Sequence, residues 1–200
     1  MATAAVIPIR SFRGGKKRLS SNLDPGGRAA LGEALAGHVV EASREAGFET
    51  LVVTGDRDVE DWATSIGSRV CGEPGSGLDA AARSGVDNAR KWSDGWVVLH
   101  ADLPLLQARE LGRILEAMSS GADVIAPSAD GGTSALSTRN PIEFRYGVGS
   151  FRRHLQRLET PDVIVAPGLL FDVDSGDDIE SVRIHPKGLW IEPFLADQGV

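Results

Sequence analysis

Three aspartates lie next to segments that resemble buried strands, and the spacing of two of them indicates a metal site. Asp102 follows the apolar run Gly95–His100, and Asp172 and Asp174 flank Val173 near the end of the chain. In an extended segment, alternation places Asp172 and Asp174 on one face. Two carboxylates so close require a cation between them, and Mg²⁺ prefers carboxylate and phosphate oxygens. We therefore predict a magnesium site at Asp172 and Asp174 and expect Asp102 to face the ligand crevice. The alternatives are a solvent-facing strand end and a turn or N-cap aspartate.

The densest positive cluster of the chain directly follows its first apolar run. It extends from Arg10 to Arg18 and contains Gly14 and Gly15. Backbone amides beside glycines, together with Lys and Arg side chains, are suited to a triphosphate. The spacing does not match a Walker A motif. The loop therefore predicts either a nucleotide-binding segment or simply a solvated basic loop.

Composition limits the classes of protein. The 200 residues, 42% of them hydrophobic and 24% charged, are typical of one soluble domain. A net charge of −7 argues against a nucleic-acid surface. The single cysteine, Cys71, fits a reducing compartment. Because neither a membrane span nor a signal peptide is recognisable, we expect a cytoplasmic protein without membrane contact.

Alternating strand and helix patterns predict how these groups are positioned. The chain begins with a strand at 4–9, and a helix with Asp24 as N-cap and Pro25 as first residue extends to about Gly47. Further strands are predicted at 50–54, 68–71, 95–100, 122–126, 162–165 and 170–173, helices at 59–66, 78–91, 108–118 and 150–158, and an interrupted extended stretch at 132–145. This order predicts a three-layer α/β sandwich with a mixed, mainly parallel sheet, whose ligands lie beyond the carboxyl ends of the strands. We expect one domain over 1–183, with a tail at 184–200 that packs on it or extends from it.

Several ordered motifs together resemble one enzyme family. They are Ile7-Pro8-Ile9-Arg10, Lys16-Lys17-Arg18-Leu19, Asp102-Leu103-Pro104, Gly132-Thr133-Ser134-Ala135-Leu136, Gly147-Val148-Gly149-Ser150-Phe151, His154 and Phe171-Asp172-Val173-Asp174. The combination resembles the 2-phospho-L-lactate or phosphoenolpyruvate guanylyltransferases of coenzyme F-420 biosynthesis over residues 4–180. The resemblance implies a nucleotide-diphospho-sugar-transferase-like, Rossmann-like fold. It also implies GMP transfer from GTP to a small phosphorylated acid with release of pyrophosphate.

The resemblance also implies roles for individual residues. The implied catalytic groups are Lys16, Arg18 and Asp102, the nucleotide-binding residues are Arg10, Lys16, Arg18, Gly75, Gly77 and Leu78, the acceptor-binding residues are Thr133, Gly147 and Ser150, and the Mg²⁺ ligands are Asp102, Asp172 and Asp174. The amides that begin the helix at Ser150 would favour an anion. The alternatives are a plain helix-entry loop at 75–78, and strand packing and helix capping at Thr133 and Ser150.

Some features depart from the family pattern or leave choices open. Asp79 stands where an amide residue is expected, which questions guanine recognition. No histidine is expected to be a metal ligand. We favour phosphoenolpyruvate as acceptor over 2-phospho-L-lactate and 3-phosphoglycerate, because the Arg-, Ala- and Gly-rich composition is typical of actinobacteria, in which the family is associated with that acid. The alternatives are a molybdopterin or sugar-phosphate nucleotidyltransferase of the same fold, or a nucleotide-binding regulator without turnover, and a homodimer is left open.

Overall fold

The computed structural model of the chain describes residues 2–72, 75 and 77–195. Ser76 of the predicted base-contacting loop and residues 196–200 of the predicted tail lie outside the described residues. Seven strands form one sheet: β1 (Thr3–Pro8), β2 (Glu49–Thr54), β3 (Arg69–Gly72), β4 (Gly95–Leu99), β5 (Asp123–Pro127), β6 (Thr133–Ser137) and β7 (Pro161–Val163). Their order is β3-β2-β1-β4-β6-β5-β7, and β6 pairs antiparallel with both neighbours while the other pairs are parallel. The predicted mixed, mainly parallel α/β sandwich is confirmed.

Helices cover both faces of the sheet. They are α1 (Pro25–Glu45), α2 (Arg57–Ser65), α3 (Leu78–Ala89), α4 (Ala108–Ser119), α5 (Ser150–Leu155), α6 (Pro167–Leu170) and α7 (Gly176–Arg183), with 3-10 segments at Lys17–Leu19 and Pro186–Phe194. β1 shows why the sheet needs two covers: Ala5 and Ile7 pack with residues of α1, α2 and α4, whereas Ala4 and Val6 pack with residues of α3. A parallel strand buried on both faces is expected to be apolar at successive positions, as here.

Local signals set the start of α1 as predicted. The side chain of Asp24 accepts a hydrogen bond from the amide of Gly27 at 2.6 Å, and Pro25 occupies the first turn.

On the other face of the sheet, α3 lies very close to the strands at Gly85. A Cβ atom added there would lie 2.3 Å from a methyl carbon of Val6 and 2.6 Å from one of Val53. Glycine at this position therefore sets the distance between α3 and the sheet.

The predicted strand at Leu170–Val173 is wrong. Leu170 ends the single turn of α6, and the chain then continues extended but outside the sheet. The amide of Val173 instead donates to the carbonyl of Asp102 at 3.1 Å, and its side chain is fully buried. The predicted alternation of burial is nevertheless present outside the sheet, because Val173 is buried while Asp172 and Asp174 on either side of it are less buried.

The C-terminal segment packs on the same body. α7 and the 3-10 segment Pro186–Phe194 contact one another, and that segment also contacts α1. The indole of Trp190 stacks on the ring of His38, with centroids 5.0 Å apart, and donates to the carbonyl of Pro104 at 2.9 Å.

The predicted helix at 150–158 is shorter than expected, since α5 ends at Leu155. In the described part of the chain, no helix is both long and apolar enough to span a membrane.

Candidate active site

A cleft of about 470 Å³ lies beyond the carboxyl ends of β1 and β4. The predicted site residues on its lining are Arg10, Lys16, Arg18, Leu78, Asp102, Thr133, Gly147, Ser150, Asp172 and Asp174. Gly75 and Gly77 do not line it, although Gly77 precedes α3 with a φ of 98°, which favours glycine. A second cleft of about 550 Å³ lies at the opposite ends of β1 and β4, away from these aspartates. The chemistry-bearing groups therefore meet where a parallel sheet usually binds its ligand.

Lys16 joins two of the predicted metal-binding regions. Its ammonium Nζ lies 3.1 Å from Oδ2 of Asp102 and 3.7 Å from Oδ1 of Asp174, and it donates to the carbonyl of Val173 at 2.5 Å. The Lys16 side chain is only 11% exposed, so these contacts are largely shielded from water. Its backbone has a φ of 52°, in the left-handed region. The basic loop thus turns this one lysine inwards against the carboxylates.

The carboxylates form a locally anionic group. Burial, the largest cause, and the nearby carboxylates of Asp102, Asp130 and Asp174 together raise the pKa of Asp172 to about 7. Burial alone would also raise the pKa of Asp102, but the Lys16 ammonium holds this pKa below its ordinary value. Asp172 therefore lacks the compensation that Asp102 has, and a bound cation would supply it.

One histidine joins this group, which the sequence analysis did not expect. One ring nitrogen of His100 and one oxygen each of Asp102 and Asp172 all lie within 4.8 Å of one another. Asp174 is not part of that set and lies against Lys16 instead. His100, Asp102 and Asp172 thus make a candidate site for a divalent cation, while metal binding by Asp174 stays a prediction.

Other cations of the basic loop remain available to a ligand. Arg10 and Arg18 line the cleft, are exposed and make no salt bridge with other described residues. Arg13 points elsewhere, since its guanidinium pairs with Asp58 at 3.0 Å. Phe12 is buried edge-to-face against Trp62, with centroids 5.1 Å apart, and anchors the loop to α2. This arrangement suits neutralisation of several phosphate charges by Arg10 and Arg18.

The predicted acceptor residues meet in a buried hydrogen-bonded chain. The hydroxyl of Ser150 donates to Oγ1 of Thr133 at 3.2 Å, and Nδ1 of His154 lies 3.0 Å from the same oxygen. The amide of Arg145 donates to Nε2 of His154 at 2.8 Å. Burial, the largest cause, lowers the pKa of His154 to about 4, so the ring is neutral at pH 7. Thr133 and Ser150 thus contact each other directly, and His154, a motif residue to which the sequence gave no role, contacts the Thr133 hydroxyl.

The first two amides of α5, which the sequence suggested as part of an anion site, are engaged within the chain. The amide of Ser150 donates to the carbonyl of Gly147 at 2.9 Å, and the amide of Phe151 donates to that of Gly131 at 3.3 Å. Because both are engaged within the chain, an acceptor would have to rely on side-chain hydroxyls and the basic loop. The expected contribution of these two amides is therefore wrong.

Asp79 has a structural partner in the turn that precedes Gly147. Its Oδ1 accepts a hydrogen bond from the amide of Tyr146 at 2.7 Å and so ties the start of α3 to the turn before Gly147. The carboxylate thereby connects the predicted nucleotide-binding segment with the predicted acceptor-binding segment. Sequence reasoning also missed Asp130, which lines the cleft and accepts from Ser128 at 2.6 Å and from the amide of Gly132 at 2.8 Å. The adjacent pair of glycines was the available signal for this turn.

Comparison with known proteins agrees with this geometry. The chain is 38% identical over 198 residues to the phosphoenolpyruvate guanylyltransferase of Rubrobacter xylanophilus, covering 94% of this chain and 96% of the relative. It is 29% identical to the 2-phospho-L-lactate guanylyltransferase of Methanothermobacter thermautotrophicus, over 98% and 90% of the two chains. It is 31% identical to the 3-phospho-D-glycerate guanylyltransferase of Phenylobacterium zucineum, over 96% and 95%.

A solved structure and a family model complete the comparison. The structure of an inferred nucleotide-diphospho-sugar transferase from Desulfovibrio desulfuricans superposes with a TM-score of 0.73 at 15% identity and full coverage of both chains, which supports the fold. The fold, the cleft and the named relatives together define a nucleotidyltransferase. The family model described as "Guanylyl transferase CofC like" matches residues 3–199, and the chain belongs to this guanylyltransferase family. The family resemblance in the sequence is therefore confirmed.

Proposed function

We propose that this enzyme transfers GMP from GTP to the phosphate of a small phosphorylated acid, with release of pyrophosphate, in coenzyme F-420 biosynthesis. One observation carries the proposal: a single cleft combines the Lys16-linked carboxylates and the exposed Arg10 and Arg18 with the hydroxyl chain at Thr133. The first part suits a polyphosphate and the second a small anion beside it. Relatives that span nearly the whole chain are named for this transfer.

The proposed chemistry needs no general base. The phosphate of the acceptor is already ionised at neutral pH, and one of its oxygens attacks the α-phosphorus of GTP while pyrophosphate leaves. Arg10 and Arg18 would neutralise the charge of the triphosphate and pyrophosphate, and Lys16 would orient Asp102. This reaction accounts for a site that is rich in carboxylates and cations and contains no Ser-His-Asp arrangement among its lining residues.

We further propose Mg²⁺ as the cofactor, held by Asp102, Asp172 and Asp174. The donor set fits a hard cation, because the pKa of Asp172 is raised to about 7 by burial and by surrounding carboxylates. Bound magnesium would neutralise phosphate charge and polarise the α-phosphoryl group. Two of the three aspartates lie close together, and Lys16 links the third to Asp102.

The acceptor that we favour is phosphoenolpyruvate. The relative with 38% identity is named for this acid, whereas those named for 2-phospho-L-lactate and 3-phospho-D-glycerate are 29% and 31% identical. The three acids share a phosphate and a carboxylate, so a pocket separates them by only a few kcal/mol unless a polar group is left unpaired. We place the reaction in the cytoplasm, where GTP is available and where a lone cysteine, Cys71, stays reduced.

A pyrophosphate-release assay tests the function. Each of the four NTPs is incubated with each of the three acids and Mg²⁺, with the wild-type chain and Asp102→Asn in parallel. We expect release with GTP and phosphoenolpyruvate, a preference for this acid of about tenfold or more, and no turnover with Asp102→Asn. Equal rates with all NTPs would contradict the guanylyl assignment. A tenfold preference for another acid would overturn the choice of acceptor but not the transfer.

A further inference from the structure

The backbone of His100 is held by a hydrogen bond to β6, whereas one of its ring nitrogens has no hydrogen-bond partner among the described residues. It directly follows β4 and lies two residues before Asp102, and its amide donates to the carbonyl of Ser134 at 3.0 Å. Its Nε2 is buried and forms no hydrogen bond with any described residue. The ring packs near Tyr146, with centroids 5.7 Å apart. A buried nitrogen without a hydrogen-bond partner destabilises the fold unless a ligand binds to it.

The distances around His100 suit an ion rather than a direct hydrogen bond. A ring nitrogen and oxygens of Asp102 and Asp172 lie within 4.8 Å of one another, yet no hydrogen bond joins the ring to either carboxylate among the described residues. In an octahedral site with bonds of about 2.1 Å, neighbouring ligands are about 3 Å apart and opposite ligands about 4.2 Å apart. The limit of 4.8 Å is only slightly above the distance between opposite ligands, so small side-chain shifts bring all three groups to one ion.

We propose that His100 supplies a nitrogen ligand to the metal site and thereby favours Mn²⁺ and Co²⁺ relative to Mg²⁺. Imidazole binds first-row transition ions well, whereas Mg²⁺ prefers oxygen ligands alone. With aspartate oxygens alone, the site would suit a hard ion, and the nitrogen of His100 shifts this preference. The inference rests on the proposed metal site and adds a ligand and a metal preference to it.

The test measures metal binding directly, on the full chain without nucleotide. Electron spin-echo modulation of bound Mn²⁺ should show coupling to a ¹⁴N nucleus in the wild type, and this coupling should disappear in His100→Asn. Free Mn²⁺ is then counted by electron paramagnetic resonance, with Mg²⁺ as competitor. We expect His100→Asn to weaken Mn²⁺ binding by about tenfold or more and Mg²⁺ binding by less than about threefold. His185→Asn, a histidine outside the cleft, should change neither affinity.

Several results would overturn the proposal. Absence of ¹⁴N coupling in the wild type excludes His100 as a ligand without the need for any variant. Tighter binding of both ions by His100→Asn would mean that the ring is a protonated counter-charge, which repels the metal. Equal weakening of both ions would remove the claimed preference. If the wild type binds neither ion while GMP transfer proceeds, the metal site itself is wrong and the proposed transfer stands.

Discussion

Replacement of Lys16 by methionine removes the ammonium that links the carboxylates. Methionine is unbranched and of similar length, so the left-handed backbone at this position, with φ of 52°, is strained no more than by lysine. The change leaves Asp102 without the contact at 3.1 Å and Asp174 without the one at 3.7 Å. We expect lower stability and a loss of turnover of at least about 100-fold, because the carboxylates are then neither neutralised nor oriented.

The size of the stability loss follows from these distances. At an effective dielectric constant of about 20, charges 3.1 Å apart attract by about 5 kcal/mol. Desolvation of both groups offsets much of this, and removal of one partner from a fully buried pair typically costs about 3–5 kcal/mol. Because the Asp102 side chain is 23% exposed, we expect about 2–3 kcal/mol. In a chain of this size, that corresponds to a fall in Tm of about 4–12 °C.

Thermal unfolding measures this effect against a matched control. Lys17→Met removes a neighbouring charge that is exposed and forms no salt bridge in the described part of the chain, so its Tm should change by less than about 2 °C. In Lys16→Met, the further change Asp102→Asn should restore part of the lost stability, since it removes the uncompensated charge. The reasoning fails if Lys16→Met and Lys17→Met shift the Tm equally, or if the two site substitutions destabilise additively.

Three further predictions concern other parts of the molecule. Gly85→Ala should destabilise the fold by about 2 kcal/mol or more in denaturant unfolding, since the new methyl group would lie 2.3 Å from a core carbon, whereas Gly112→Ala, with nothing within 4 Å, should be neutral or stabilising. Asp79→Ala should raise the KM for the phosphorylated acid several-fold, because the amide of Tyr146 loses its hydrogen-bond partner. Asp79→Asn retains an oxygen and should leave this KM unchanged. Equal effects of the two variants would contradict the role of Asp79. Burial lowers the pKa of His154 to about 4, below its unfolded value near 6.5. The unfolded state therefore takes up a proton first as the pH falls below 6.5. The free energy of unfolding should fall by up to about 3 kcal/mol between pH 6.5 and pH 4. The unfolding free energy of His154→Gln should fall less over that range, and an identical slope would refute the assignment.

Local signals were sufficient for much of the fold. The cap at Asp24 and the apolar run of β1 depend on neighbours in sequence, and both appear as predicted. The segment 170–173 was misassigned as a strand because alternation only indicates which side chains are buried. Whether an extended segment joins a sheet depends on a distant partner, and here the amide of Val173 bonds to the loop carbonyl of Asp102.

Only those parts of the candidate site that lie in local sequence motifs were predictable. Lys16, Asp102 and Asp172 belong to ordered motifs, so resemblance brought them forward before any geometry was known. His100 carried no motif, and its significance depends on the distance to Asp172, which only the fold determines. Asp79 looked like a defect in base recognition because its partner, the amide of Tyr146, lies in a distant turn. The first amides of α5 likewise donate to backbone carbonyls of Gly147 and Gly131, which a pattern of side chains does not reveal.

The central claim is that an oxygen of the acceptor phosphate attacks the α-phosphorus of GTP in this cleft. It is tested most directly by mass spectrometry of the products from GTP and phosphoenolpyruvate that carries ¹⁸O at the three terminal phosphate oxygens. The account predicts that all three labels appear in a GMP-linked product and none in pyrophosphate. Label in the pyrophosphate, or failure to form a GMP-linked product from phosphoenolpyruvate, 2-phospho-L-lactate and 3-phosphoglycerate alike, would contradict it.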